Sequence, residues 1–422
     1  MINKETLRQI VIQQKSESLL EEGMVRRDIL DEVLKWFKDN RIIILTGLRR
    51  SGKSTLLKQV MQEKKGWCYV NFDDERFIDF RAQDFESLNE VLIEVYGTPK
   101  IYLFDEIQNV DKFETFVRRL HDGGKKVLIT GSNASLLSKE LGTRLTGRYR
   151  SFEVYPFSFF EYLKFRKLKP EKEWLYIAEK KVKLLKAFGE YLSDGGLPEY
   201  LKNKDREYVK TLFENILYRD IIARYSIRRQ KIVKELVNLF VTNVSSQFTY
   251  NSLKKSLGLS NAITVKEYTS YLSNAYLFFE LQRFDFSAKK QLNFPKKIYI
   301  ADSAFGQLGF NFSENIGKVM ENAVFIELRR KNKEAYYYSN KGECDFVVKD
   351  GIRITEAIQV CYVLDEKNKE REMGGLIDAM EKFGLKEGLI LTKDQEEEIK
   401  VGGRTIKIVP VFKWLVLHSL TR

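Results

Sequence analysis

Gly47-Leu48-Arg49-Arg50-Ser51-Gly52-Lys53-Ser54 is the stretch that decides the fold of this 422-residue chain. The apolar run Ile42-Ile43-Ile44-Leu45 leads into it, and the helical pattern Thr55-Leu56-Leu57-Lys58-Gln59-Val60-Met61 leads out. Strand, Gly-x-x-x-x-Gly-Lys-Ser, helix is the order of a phosphate-binding loop. Gly47 and Gly52 permit positive φ and close backbone approach, so successive N–H groups can converge on one anion. The helix starting near Lys53 adds the positive end of its dipole. Lys53 is expected to reach the β- and γ-phosphates of ATP, and Ser54 to ligate Mg²⁺. Leu48, Ser51 and Thr55 complete the expected binding segment, while Arg49 and Arg50 suit solvent as well as phosphate.

Outward from the loop, Lys100-Ile101-Tyr102-Leu103-Phe104-Asp105-Glu106 reads as a central strand ending in two carboxylates, 52 residues after Lys53. Ligands of open α/β sheets bind at the carboxyl ends of strands. Asp105 is expected to hold the hydrated Mg²⁺, which favours hard anionic oxygen, and Glu106 to polarise the attacking water. A further strand, Lys126–Thr130, runs into Gly131-Ser132-Asn133. There Ser132 or Asn133 can bond the γ-phosphate, cap the helix suggested by Leu136-Leu137, or both. Arg144 and Arg148, in Thr143-Arg144-Leu145-Thr146-Gly147-Arg148, are candidate fingers for transition-state charge, supplied within the chain or by a neighbouring copy. The alternative is a salt-bridged surface turn.

Composition narrows the function classes. No apolar run approaches 18 residues, so no membrane span is expected. Met1-Ile2-Asn3-Lys4-Glu5 lacks an apolar signal core, which points to the cytoplasm. Cys68, Cys344 and Cys361 are scattered, and His121 and His418 lie far apart, so neither a disulfide framework nor a zinc site is expected. The net charge of +13 is uneven. Residues 201–300 hold 18 Lys+Arg against 8 Asp+Glu, a net +10, and the other 322 residues share +3. Such an excess can mark a nucleic-acid footprint or a solvated lysine surface.

The chain resembles archaeal and bacterial AAA+-like ATPases whose C-terminal half is a domain of unknown function. The resemblance rests on Gly47–Ser54, Leu103-Phe104-Asp105-Glu106-Ile107-Gln108 and Ile129-Thr130-Gly131-Ser132-Asn133-Ala134. Leu145-Thr146-Gly147-Arg148, Pro156-Phe157-Ser158-Phe159 and Gly195-Gly196-Leu197-Pro198-Glu199 extend it over nearly the whole length. It implies a P-loop ATPase core, a winged helix and a domain similar to restriction-endonuclease folds. By the same resemblance Ser132 is the sensor residue and Arg148 the better candidate for the finger.

Beyond the core, Phe157–Lys202 has helical spacing and is expected to form a small lid. Tyr250–Leu257, the turn Gly258-Leu259-Ser260 and Val265–Tyr276 read as helix, turn, helix, the arrangement of DNA-reading modules. Leu277–Phe284 and Lys297–Ile300, joined by a basic Lys289-Lys290 loop, complete a winged helix. Lys254, Lys255, Lys289 and Lys290, with Lys296 and Lys297, are candidate contacts to a nucleic-acid backbone; contact with protein is the alternative. In the last quarter, a helix at Glu321–Leu328 followed by strands resembles the PD-(D/E)xK nuclease core. Asp345 matches its Asp, but Gln359-Val360-Cys361 stands where that core has Glu-x-Lys. Gln359 offers a neutral oxygen and Cys361 is no ammonium, so the chemistry is expected to be impaired. Asp345 and Glu321 are equally suited to structural pairing.

The expected architecture is α/β. A parallel P-loop sheet with helices on both faces spans 1–156, a helical lid 157–225, a winged helix 226–300, and a restriction-endonuclease-like domain 301–422. The expected activity is ATP hydrolysis with Mg²⁺, driving a switch or remodeller on DNA, with a homo-oligomer as one arrangement. An ATP-regulated nuclease or a protein-assembly ATPase that never meets DNA are the alternatives.

Overall fold

A computed structural model describes residues 2–18, 23–134, 145, 147–309 and 316–420. The chain forms two compact units: Met1–Tyr155 with Asn274–Tyr276, and Pro156–Ser273 with Leu277–Arg422.

The first unit is built on five parallel strands: β1 (Ile42–Thr46), β2 (Trp67–Asn71), β3 (Ile101–Asp105), β4 (Lys126–Gly131) and β5 (Tyr149–Glu153). Their spatial order is β2-β3-β4-β1-β5. Helices cover both faces, which is why the strands read as unbroken apolar runs rather than alternating ones. Ile42 and Ile44 join Tyr102, Phe104, Val127 and Ile129 against α1 (Lys4–Glu17), α4 (Phe85–Tyr96) and α5 (Phe113–Asp122). Ile43 and Leu45 turn the other way, with Leu103 and Leu128, against α2 (Leu30–Lys35) and α3 (Lys53–Glu63). The two-residue period of a strand divides the core into these two layers. The first layer is rich in phenylalanine: Phe85 stacks on Phe116 with ring centroids 4.4 Å apart.

In the second unit, α6 (Phe159–Phe165), α7 (Ala178–Asp194), α8 (Pro198–Asn203) and α9 (Arg206–Asn215) lead into a π-helical turn at Ile216–Ala223. Next come α10 (Gln230–Thr242), β6 (Gln247–Phe248), α11 (Tyr250–Ser256), α12 (Ala262–Asn274), β7 (Phe278–Gln282), α13 (Ala288–Asn293) and β8 (Lys296–Ile300). The three strands form an antiparallel sheet in the order β6-β8-β7. The expected helix, turn, helix and two strands are present, with β6 added. The Lys289-Lys290 segment is a short helix, α13, rather than a loop. Helix α14 (Ile316–Arg330) precedes a six-stranded mixed sheet, β13-β14-β12-β11-β10-β9. It is made of β9 (Glu334–Ser339), β10 (Glu343–Asp350), β11 (Arg353–Val360), β12 (Glu387–Thr392), β13 (Glu397–Val401) and β14 (Arg404–Pro410). Helix α15 (Lys369–Phe383) joins β11 to its parallel neighbour β12, and α16 (Val411–Leu420) closes the described chain. No helix among the described residues is long and apolar enough to cross a membrane.

Candidate functional site

The Gly47–Ser54 loop lies at the carboxyl end of β1, beside the ends of β3 and β4. Gly47 has φ 141°, and a Cβ there would meet the Val154 carbonyl oxygen at 2.1 Å. Gly52, φ 96°, occupies the N-cap of α3. A side chain at position 47 would have to move backbone, and one at position 52 would be strained at that φ and push aside the Arg27 guanidinium. Lys53 is buried, and its Nζ donates to the carbonyls of Gly47 and Leu48 at 3.1 and 3.0 Å. It also lies 3.7 Å from Glu106 Oε1. Leu48 is buried, Arg49 and Thr55 half-buried, and Arg50 and Ser54 exposed.

Asp105 ends β3 and is 1% exposed. Ser54 and Thr130 bond its carboxylate, and Tyr69 Oη donates to Oδ2 at 3.3 Å. Burial pushes the Asp105 carboxyl above its ordinary value, and the Glu106 charge beside it adds to the rise. Glu106 follows in the left-handed region, φ 50°. Its N–H donates to Thr130 Oγ1 at 2.9 Å, and its carboxylate accepts from the Gln108 side chain. Thr130 therefore ties both acids to β4. Ser132 and Asn133 follow β4 and are buried. The helix suggested at Leu136-Leu137 and the candidate finger Arg144 fall outside the described residues.

The structure brings Lys53, Ser54, Asp105 and Glu106 together, and leaves Arg148 elsewhere in the chain. The Arg148 carbonyl accepts from Ile42 N, at the start of β1, and its guanidinium pairs with Asp122 at 2.9 Å. The phosphate loop leaves the opposite end of that strand, about 15 Å away at about 3.3 Å per residue.

Three residues at this site escaped the sequence reading. Arg27 is buried and donates to the Ser51 carbonyl at 2.7 Å and to the Tyr155 carbonyl at 2.6 Å. Tyr69 lies one strand over from Asp105. Tyr276, in the left-handed region at φ 56°, donates to Thr46 Oγ1 at 2.8 Å, and the neighbouring Asn274 carbonyl accepts from Ala134 N at 2.8 Å. No local pattern marks them, because their partners are 24 to 230 residues away.

In the second unit, Lys254 is half-buried and Lys255, Lys289 and Lys290 are exposed. The expectation for Lys296 and Lys297 is corrected: they are 6% and 2% exposed, because all five β8 residues are buried. Lys297 Nζ lies 2.7 Å from Asp345 Oδ1, 3.0 Å from Glu321 Oε1 and 2.8 Å from Glu343 Oε1. Tyr299 Oη donates to Glu321 Oε1 at 2.7 Å, and Val360 N donates to Asp345 Oδ2 at 2.9 Å. Gln359 accepts from Asp345 N at 3.1 Å and donates to Glu372 Oε2 at 2.6 Å. Glu356 points away, paired with Lys333. Burial alone would lower the Lys297 ammonium, but Asp345 and Glu321 hold it well above its ordinary value. Burial, helped by Asp345, pushes Glu321 up to about 7. Cys361 is a buried thiol in the adjoining apolar core.

An AAA domain model matches residues 39–163, and a model of a domain of unknown function (DUF8612) matches residues 185–313. The "Uncharacterized protein" of Haemophilus influenzae is 27% identical over 420 residues, 94% of this chain and all of that one. Among solved structures, the Walker-type ATPase PABY2304 of Pyrococcus abyssi aligns at TM-score 0.43 and 16% identity, over 68% of this chain and 96% of that one. Cdc6p from Pyrobaculum aerophilum aligns at TM-score 0.28 and 12% identity, over 77% and 98%. "Uncharacterized protein MJ1544" of Methanocaldococcus jannaschii is 35% identical over 439 aligned residues, 99% of this chain and 97% of its own. The chain thus belongs to the family of that M. jannaschii protein, and its first unit has the fold of an AAA-type P-loop ATPase.

Proposed function

We propose that the chain binds and hydrolyses ATP and uses the cycle as a switch or remodeller acting on DNA. The observation that carries the ATPase half is the convergence of Lys53 and Ser54 from the loop with Asp105 and Glu106 from the end of β3. The loop amides and Lys53 bind the triphosphate. Glu106, held by Thr130 and Gln108, accepts a proton from the attacking water. Ser54 and Asp105 form a hard-oxygen pair suited to Mg²⁺, which when bound neutralises phosphate charge. Ser51 Oγ is buried with no hydrogen-bond partner among the described residues, a polar atom that fits a bound phosphate or its water. Ser132 and Asn133 sit at the next strand end, where a sensor of the γ-phosphate belongs. Because Arg148 lies at the opposite end of β1 from the phosphate loop, a finger role for it falls to a neighbouring copy of the chain.

The DNA half is supported by the local charge of +10 over residues 201–300 and by α11, the Gly258 turn, α12 and the three-stranded sheet, which we read as a winged helix. On that reading 1–156 is the ATPase core, 157–225 a lid, 226–300 the winged helix and 301–422 a degenerate nuclease-like domain. Exposed Lys255, Lys289 and Lys290, with Lys254, supply backbone contacts.

ATP turnover measured with and without duplex DNA, over a range of protein concentration, tests both halves. Stimulation by DNA and a specific rate rising with concentration are expected. Turnover indifferent to DNA would favour a protein-assembly role, and no turnover at all would end the proposal.

A further inference from the structure

The acids of the C-terminal sheet carry an inference independent of the ATPase reading. Asp345 on β10, Glu321 on α14 and Glu343 at the start of β10 all face one point. That point is held by Lys297 Nζ, delivered from β8, an element of a different sheet. The contacts are 2.7–3.0 Å, ammonium distances, longer than the 2.0–2.6 Å at which oxygen holds Mg²⁺ or Ca²⁺. Lys297 is 2% exposed and fixed by the β8 ladder to β6 and β7. The acids have further donors from the chain itself: Tyr299 on Glu321, Val360 N on Asp345 and Gln247 on Glu343.

We infer that Lys297 is the resident cation of a divalent-cation site, so that its ammonium stands where a hydrolytic metal would and this domain works without one. A tethered, buried ammonium with three carboxylate partners is at very high effective concentration, and a free divalent ion must displace it and leave it unpaired. The same reasoning explains how Gln359 is accommodated opposite these acids. With the cation supplied by β8, position 359 needs no charge, and its amide instead links the Asp345 backbone to Glu372. The domain thereby holds a closed version of a metal site, one ammonium bonded by three carboxylates, suited to binding or bracing rather than cutting.

The test is Mn²⁺ binding by electron paramagnetic resonance on the full chain without nucleotide. An Asp105→Asn background removes the proposed metal ligand of the other unit. With Lys297 intact, no Asp345-dependent Mn²⁺ is expected. Lys297→Ala should gain one Mn²⁺ per chain, lost again on adding Asp345→Asn. If Lys297→Ala is too unstable to titrate, its melting temperature is read instead. A rise with Mn²⁺ that the Lys297-intact chain does not show supports the inference, and a melting temperature indifferent to Mn²⁺ overturns it. Mn²⁺ bound through Asp345 while Lys297 is intact would also overturn it. So would Mn²⁺-dependent cutting of plasmid DNA that disappears in Asp345→Ala.

Discussion

Arg27 shows what a single side chain does for the phosphate loop. Its guanidinium bonds the Ser51 carbonyl from behind, and a Cβ on Gly52 would meet it at 2.6 Å. A charged hydrogen bond of this kind contributes about 1.5–3 kcal/mol. Arg27→Ala is therefore expected to raise the KM for ATP about tenfold or more, with a smaller change in kcat; an unchanged KM would make Arg27 a bystander. Lys53→Ala should abolish turnover. Glu106→Gln should keep ATP binding and slow hydrolysis about 10²–10⁴-fold, as loss of a general base does. Single-turnover rates beside nucleotide binding check both. At this scale the contiguous stretches Gly47–Ser54 and Asp105-Glu106 stood out in the sequence, and the structure brings them together. The sequence was silent on Arg27 and Tyr276 and misplaced Lys297 on the surface, because the partners of all three lie far along the chain.

At the scale of elements, the short helical turn opening at Asp302 contains a testable proton site. Asp302 accepts from Gly196 N at 2.8 Å and from Ala304 N at 2.9 Å. Burial nevertheless pushes its carboxyl from 3.8 up to about 7, against the pull of those two donors. Between about pH 4 and pH 7 the unfolded chain has lost a proton that the folded chain keeps. This contribution to stability is therefore complete below about pH 4 and disappears as pH rises through about 7. Relative to Asp302→Asn, whose side chain is neutral at every pH, wild type should lose stability over that window, read from the gap between denaturant midpoints. A gap flat with pH would mean that Asp302 is ionised throughout. The segment Asn274–Tyr276 makes a second case. Tyr276→Phe leaves buried Thr46 Oγ1 without its donor and should destabilise the first unit by about 1–3 kcal/mol. Buried parallel strands such as β1 and β3 were readable as apolar runs. Strand β13, Glu397-Glu398-Ile399-Lys400-Val401, was not, because an exposed edge strand carries charge in place of an apolar signal. Helix α13 read as a loop for the same reason: it is a six-residue helix with no buried residue.

At the scale of the whole molecule, an AAA-type ATPase fold precedes a basic stretch, net +10 over residues 201–300. If the positive excess in residues 201–300 serves DNA, affinity should fall steeply with salt. Reversing Lys254, Lys255, Lys289 and Lys290 to Glu should flatten the log–log slope by about 0.9 for each phosphate no longer neutralised. Binding unaffected by both would assign that charge to solvent. In the proposed function, one cradle of loop amides and Lys53 grips a triphosphate while Asp105 and Glu106 direct metal and water. The most direct measurement is a crystal structure grown with a non-hydrolysable ATP analogue and Mg²⁺. The β- and γ-phosphates are expected inside the Gly47–Ser54 turn, Mg²⁺ between Ser54 and Asp105, and Glu106 facing the γ-phosphate. An analogue bound away from that turn, or a metal that neither residue approaches, would contradict the proposed function.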